Sequence, residues 1–417
     1  MIKHLFKLIN KQWRKNVWIV LELFLVISLF WYVVDFFSVL FINSRTPVGF
    51  DIENTYKINM GVYSPNSNNY TQHEAGSHEP AENFLRIIER IRQHPEVEVV
   101  SLGHLHYPYC LSSSNTNYKL DSVIISTQIL SVTPEYFDVF RVKLSKSNDK
   151  TYIENALREG LIISKTINDE LSPDVSLIGK TIFKYDDTPT FVSEVTNPIK
   201  RHEYSVPTNY IFIPFEEKSL FGKNEQEIWE NVDICIRARS GKSAQNFPAS
   251  FKKEMKNELG IGNFFLADIV PMDNLRKEIF KMESIYKSIQ YRSAFTVFFL
   301  VNIFLGIIAT FWLRIEKRKG EIGIRIAIGS TRNQIQVQML MESFILMLIA
   351  LIPAIIVWVN IVRSDLLSTT YLPVTSERIA INTVITLVLV IIAIVAGTWY
   401  PAQRSAKTEV AEALHYE

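Results

Sequence analysis

The chain has only two cysteines in 417 residues, Cys110 and Cys235. Two thiols cannot build a disulfide framework, and whether they pair with each other stays open, because spacing alone does not report their separation. A complete phosphate-binding loop is also missing. Gly179-Lys180-Thr181 and Gly241-Lys242-Ser243 carry its Gly-Lys-Ser/Thr ending. The motif needs a further Gly five residues earlier to turn the backbone around the phosphates. Asp174 and Ile236 occupy those positions, so this chain is not expected to hydrolyse ATP. Metal-like spacing is absent too. His104 and His106 alternate on an expected strand and could share a face, but two histidines make at most half a zinc site. His73, His78 and His202 add scattered ligands only. No Ser/His/Asp set has interpretable spacing and no Cys stands beside a plausible base, so catalysis is not expected.

The formal net charge of +1 hides a strong asymmetry. Four stretches, Val17–Ile42, Ala294–Leu313, Leu340–Val362 and Ile379–Trp399, are apolar. Each reaches the roughly 20 residues that cross a bilayer core. The first follows basic residues at 4, 7, 11, 14 and 15, as a signal peptide would. Its apolar run is too long, however, and Ile42-Asn43-Ser44-Arg45 is no cleavage site, so it reads as an uncleaved anchor. Lys and Arg concentrate before the first span, between 314 and 338, and at Arg404 and Lys407. The positive-inside rule then puts both termini in the cytoplasm and about 250 residues between spans one and two outside.

That outer insert carries α/β signals. Tyr56–Tyr63, Glu96–Leu102, Ser122–Val132, Val232–Ala238 and Phe264–Val270 read as strands. Pro80 opens a helix with Phe84, Ile87, Ile88 and Ile91 on one face, and Pro248 opens another with Phe251, Met255 and Leu259. Short strands at Leu161–Ser164, Thr181–Tyr185, Phe191–Val195 and Tyr210–Pro214 suggest a small β-rich subdomain inserted at about 133–231. Residues 64–77 read as a surface loop. After the insert, Leu275, Ile279, Met282, Tyr286 and Ile289 are spaced 4, 3, 4, 3, a two-heptad seam. It predicts one continuous helix over 272–293 that enters the second span as a stalk, paired with an extension of the first span, in preference to a helix packed on the outer domain.

Two acids fall within the first span, Glu22 and Asp35. Thirteen residues of helix cover about 20 Å, less than the roughly 30 Å of hydrocarbon. At least one carboxylate is therefore expected to face the bundle, with Asn302, Asn360 or Arg363 as partner, or to lie shallow in local water.

Between spans two and three runs Arg318-x-x-Glu321-Ile322-Gly323-Ile324-Arg325-x-Ala327-x-Gly329-Ser330, followed by Ile335 and Gln338-x-Leu340-x-Glu342. This resembles the coupling signature of FtsX/MacB-type ABC transporter permeases, with Gly320 where a basic residue is common. The C-terminal Pro401-Ala402 and Glu412-Ala413-Leu414 phrases are similar to the family's ending, with Val410 where Pro is common. Val132–Phe140 and Ile178–Ile182 resemble the MacB-like periplasmic domain more loosely. The resemblance implies an α-helical membrane protein of four transmembrane helices with a large α+β extracytoplasmic domain. That domain would pair a ferredoxin-like porter α/β subdomain with the inserted β-rich one. The implied organisation is 1–42 (cytoplasmic amphipathic segment and helix 1), 43–271 (periplasmic domain), 272–293 (stalk) and 294–417 (FtsX-like permease domain).

The implied function is that of a non-catalytic permease subunit in a bacterial inner membrane, moved by ATP hydrolysis in a separate ATPase dimer. Export or extraction of substrate at the outer face is expected. Arg318, Glu321, Gly323, Arg325 and Gly329 would couple to the ATPase, with charge for docking and glycines for close approach. No cofactor is expected on this chain, ATP and Mg being used by the ATPase. Further implied partners are a second permease copy or paralogue, a periplasmic adaptor with an outer-membrane channel, and lipid, but no nucleic acid. Other outcomes remain open: an FtsX-like regulator of a cell-wall hydrolase, a lipoprotein-release component, and a membrane receptor without transport.

Overall fold

The computed structural model describes residues 13–407 apart from 75, 240–245, 365–366, 368–371 and 373; the side chains of 13–15, 319, 321, 332 and 400–407 are outside the description. The basic residues at 4, 7 and 11, the Gly241-Lys242-Ser243 ending and the Glu412–Glu417 phrase therefore lie outside the described residues. The chain divides into two compact units, Thr46–Tyr286 and the remainder, Met1–Arg45 with Lys287–Glu417.

In chain order, helix α1 (Trp13–Arg45) precedes β1 (Thr55–Val62), α2 (Glu79–Arg92), β2 (Val97–His104), β3 (Ser114–Leu120) and β4 (Val123–Val132). Next come α3 (Tyr136–Val139), α4 (Lys150–Glu159), β5 (Leu161–Ser164), α5 (Lys165–Leu171), β6 (Thr181–Lys184), β7 (Pro189–Thr196) and β8 (Tyr210–Pro214). The outer unit ends with α6 (Glu225–Asn231), β9 (Asp233–Ala238), α7 (Phe247–Glu258), β10 (Phe264–Pro271) and α8 (Met272–Met282). Four helices follow: α9 (Ile285–Glu316), α10 (Lys319–Ala327), α11 (Arg332–Arg363) and α12 (Ser376–Lys407).

The outer unit is built on one sheet in the order β10-β1-β9-β2-β4-β3-β6-β7-β5-β8. Its first four strands are all antiparallel to their neighbours and are joined as two βαβ passes, the split βαβ arrangement. One face is covered by α2 and α7: Phe84, Ile87, Ile88 and Ile91 from α2 and Phe251, Met255 and Leu259 beyond it pack on Ile58, Val100, Ile236 and Phe264. Helical spacing in the sequence fixes that face, because residues at i, i+3, i+4 and i+7 lie on one side.

The chain leaves this layer after β2. Strand β4, read from sequence with the first layer, pairs with β2 at only two residues but with β3 along seven. It also pairs in parallel with β8. That contact closes β4-β3-β6-β7-β5-β8 into a six-stranded barrel, and closure removes exposed strand edges. Tyr118, Ile163, Ile182, Val192 and Ile211 fill its interior. The strand β3 and helices α4, α5 and α6 were not legible from periodicity.

In the other unit, α1, α9, α11 and α12 are long and apolar enough to cross a membrane. One face of α1 carries Leu23, Ile27, Phe30, Trp31 and Val34 into a core with Ile307, Phe311, Leu346, Ala350, Trp358, Val390 and Ala393. Trp31 stacks on Trp358 with ring centroids 5.5 Å apart. Gly397 lets α12 approach α9 closely: a Cβ there would lie 2.9 Å from the Cα of Ile308.

The predicted continuous helix over 272–293 is broken. Helix α8 ends at Met282, α9 begins at Ile285, and Ser284 between them has φ +52°. A left-handed residue with a Cβ stops an α-helix outright. The seam is split accordingly. Leu275 and Ile279 pack into the outer unit, whereas Met282 and Tyr286 are exposed and Ile289 is half-buried.

Candidate functional site

Helix α9 passes into α10 through the turn Lys317-Arg318. Ile322, with Ile326 partly buried beside it, packs on Ile315, Ile335 and Met339. These two isoleucines are four apart and share one helical face. Gly323 is buried as well. Ile324 and Ile328, also four apart, occupy another face and are 50 % and 81 % exposed. The four isoleucines of α10 thus divide between two faces, one packed and one exposed.

The end of α10 is closed by Gly329, at φ +101°. Ser330 N–H donates to Arg325 O at 3.0 Å and Gly329 N–H to Ile326 O at 3.0 Å. This is a Schellman stop, which favours glycine at the left-handed position. Thr331 then opens α11 with a reciprocal cap: its hydroxyl accepts from Gln334 N–H at 3.3 Å and its own N–H donates to Gln334 Oε1 at 3.0 Å. The Gly-Ser-Thr-x-x-Gln run thus encodes a sharp stop and restart.

Arg318 is turned inward. Its guanidinium donates to Glu342 Oε2 at 2.5 Å, and Arg314 reaches the same oxygen at 3.4 Å. Glu342 on α11 is buried. Arg314 also donates to Asn16 Oδ1 of α1 at 3.3 Å. These contacts tie the ends of α1 and α9 to α11 and root α10. Arg325 lies half-buried on the face near Gln338 and Met339. The side chain of Glu321 is outside the described residues.

The intramembrane acids have partners other than those expected. Asp35 is buried and takes two hydrogen bonds from Arg378, Nε to Oδ1 at 2.8 Å and a terminal nitrogen to Oδ2 at 2.7 Å. Asn382 donates to Asp35 Oδ1 at 2.5 Å. Glu22 accepts from the Thr310 hydroxyl at 2.6 Å. Asn302 and Asn360 instead donate to carbonyls of their own helices, Phe298 O and Ile356 O, each at 2.7 Å.

The outer histidines do not assemble. His104 Nδ1 meets Asn231 O at 3.1 Å, while His106 turns into the core against Ser101 Oγ at 2.9 Å. They do not share a strand face, because Leu105 between them has φ +52°. His73 lies between Glu79 at 3.1 Å and Glu225 at 3.0 Å. No cluster of three metal-ligating side chains occurs among the described residues. Cys110 and Cys235 are both free thiols. Sequence reasoning missed Arg237, a buried cation that donates to Val139 O and Glu53 O, each at 2.7 Å, and to Asp51 O at 2.9 Å. It staples the entry into β1 onto β9.

Residues 293–410 match the model of the FtsX-like permease C-terminal family. The macrolide export ATP-binding/permease protein MacB of a Shewanella strain is 23% identical over 252 residues, 58% of this chain and 37% of MacB. The uncharacterized ABC transporter permease YvrN of Bacillus subtilis is 22% identical over 272 residues, 62% of each chain. The matches thus span less than two thirds of these relatives' own lengths. The crystal structure of the periplasmic region of MacB from Actinobacillus actinomycetemcomitans aligns at a TM-score of 0.33 and 13% identity, covering 55% of this chain and 94% of that one. A multi-pass membrane protein with an FtsX-like permease region is thereby defined. Residues 293–410 thus carry an FtsX-like permease region, and the chain as a whole is similar to ABC transporter permeases of the MacB type.

Proposed function

We propose that this chain is the membrane subunit of an ABC transporter and that a separate ATPase subunit moves it by gripping α10. The carrying observation is the two-sidedness of that helix: Ile322 is buried, while Ile324 and Ile328 stand out on another face. A short helix rooted on one side and apolar on the other suits a groove in a partner. Glu321 and Arg325 supply the charged contacts of the docked helix, and Arg318 roots it rather than reaching the partner. ATP and Mg are used by the ATPase; this chain binds neither and carries no catalysis.

In this reading α10 and both termini face the cytoplasm of a bacterial inner membrane, and the outer unit lies in the periplasm. Movement of α10 passes along α9 to the outer unit, which acts on a substrate at the outer face for export or extraction. Two copies assemble, matching the two-fold symmetry of an ATPase dimer. A periplasmic adaptor with an outer-membrane channel extends the path. Joint replacement of Glu321 and Arg325 by Ala should abolish co-purification of the ATPase while leaving membrane insertion intact. Retained co-purification would contradict the assignment.

A further inference from the structure

Helix α9 is the span least covered by its own chain. Of its most apolar stretch 11 % is buried, against 39, 33 and 28 % for α1, α11 and α12. The covered side carries Ile307 and Phe311 into the bundle, with Leu300, Ile303 and Phe304 partly buried beside them. The opposite side is open. Phe295, Phe298 and Leu305 are 66, 61 and 58 % exposed, and Asn302 and Ala309 are exposed as well. These five residues are spaced 3, 4, 3 and 4, a heptad seam with an amide at its central position. At 3.6 residues per turn they fall within a stripe of about 80°, turned away from Ile307.

A lipid-facing amide at this depth is costly. Asn302 lies about 12 Å and about 16 Å of helix from the two ends of the apolar run 294–313, beyond the reach of water at either surface. Asn360, also exposed, differs in standing close to the end of α11 at Arg363. An amide has two N–H donors and an oxygen acceptor. Asn302 uses one N–H on Phe298 O at 2.7 Å. Its second N–H and its oxygen make no hydrogen bond among the described residues, and hydrocarbon offers none. One turn further on, Gly306 has open space where a Cβ would stand. With Ala309 it allows another backbone to come close, as small residues do where helices meet in membranes.

We propose that α9 pairs with α9 of a second copy of this chain, the two Asn302 amides hydrogen-bonding to each other at the centre of the contact. Copies of one chain insert in one orientation. A two-fold axis relating them therefore runs along the membrane normal and brings identical residues to the same depth. An amide is its own complement: each Asn302 donates an N–H to the oxygen of the other. A foreign helix would need a polar group at that same level, whereas a second copy always supplies one. A single polar position in an apolar seam also fixes the register and the number of helices. The inference goes beyond the grip on α10, which asks for two copies but specifies no contact between them, and it concerns the helical unit alone.

The test uses the full chain in a Cys110→Ser background, Cys235 being buried. Single cysteines are introduced on the seam, Phe298→Cys and Leu305→Cys, and at exposed positions off it, Val297→Cys and Val301→Cys. Native membranes are oxidised with copper phenanthroline and covalent dimers are read on a gel. The seam positions should crosslink and the other two should not. In parallel the dimer dissociation constant is measured by energy transfer in liposomes without any ATPase, so that failure here is separate from failure of the α10 reading. Asn302→Leu should raise the constant about tenfold, while Asn302→Gln, which keeps the amide, should stay within about twofold of the parent. Asn302 faces away from the packed core, so neither variant disturbs folding. No crosslink on the seam, equal crosslinking off it, adducts with another protein in place of the dimer, or an unchanged constant in Asn302→Leu would overturn the proposal.

Discussion

Asp35 and Arg378 are 343 residues apart in the chain and meet as a two-pronged ion pair inside the helical unit. Asn382 supplies a third hydrogen bond to the same carboxylate. The pair therefore locks α12 to α1. Removing one partner leaves a buried, uncompensated charge, which costs about 3–5 kcal/mol. Asp35→Ala and Arg378→Met should each lower the thermal stability of the full chain sharply. The double variant should lose less than the sum, because neither charge is then stranded. Strict additivity in such a cycle would show that the pair does not act as a unit.

Ile322 and Ile328 should separate structure from docking. Ile322→Ala opens a cavity in the small cluster that roots α10, at about 2 kcal/mol. Faster hydrogen exchange over 319–327 is the expected readout. Ile328→Ala removes an exposed side chain and should leave exchange unchanged while weakening co-purification of the ATPase. Equal effects of the two variants on exchange would contradict the assignment of faces.

Ser284 holds the break between α8 and α9 in the left-handed region. Ser284→Gly should raise stability slightly, by about 1 kcal/mol, since glycine carries no Cβ penalty there. Ser284→Val should destabilise. A drop in melting temperature for the glycine variant would show that the break is not held at this residue.

Burial pushes His106 down to about 4 from 6.5, with Asp233 opposing and Lys57 and His104 reinforcing. Burial, with Arg201 and Lys200 nearby, takes His202 to about 4 as well. Both values lie below those of the unfolded chain, so the unfolded chain takes up protons first as pH falls. Their stabilising effect is complete above pH 6.5 and is lost progressively between 6.5 and about 4. For His106 alone the loss is about 3 kcal/mol at most. Thermal unfolding from pH 7 to 4.5 should therefore be less pH-dependent in His106→Gln than in the parent protein. Identical pH profiles would exclude His106 as a source of acid sensitivity.

Much of this architecture is written locally. The four spans, the apolar faces of α2 and α7 and the Gly329 stop each depend on residues within a few turns of one another. Pairings across the chain are not. Arg378 was missed as the partner of Asp35 because nothing local connects them, and Asn302 and Asn360 looked equally polar. The barrel closure depends on β4 meeting β8 in parallel, a contact that strand-like runs do not announce. The two-heptad seam predicted an unbroken helix because apolar spacing continues across Ser284, and periodicity does not register one left-handed residue. Between residues 314 and 342, residue types did not reveal orientation: only packing shows that Arg318 faces Glu342 and that the isoleucines divide between two faces.

The most direct measurement is the accessibility of α10 in intact cells. A cysteine placed at Ile328, in a Cys110→Ser background, is treated with a membrane-impermeant maleimide. The account predicts no labelling until the membrane is permeabilised, followed by protection when the ATPase is present. Labelling at Ile328→Cys in intact cells would place α10 on the outside and contradict the coupling role.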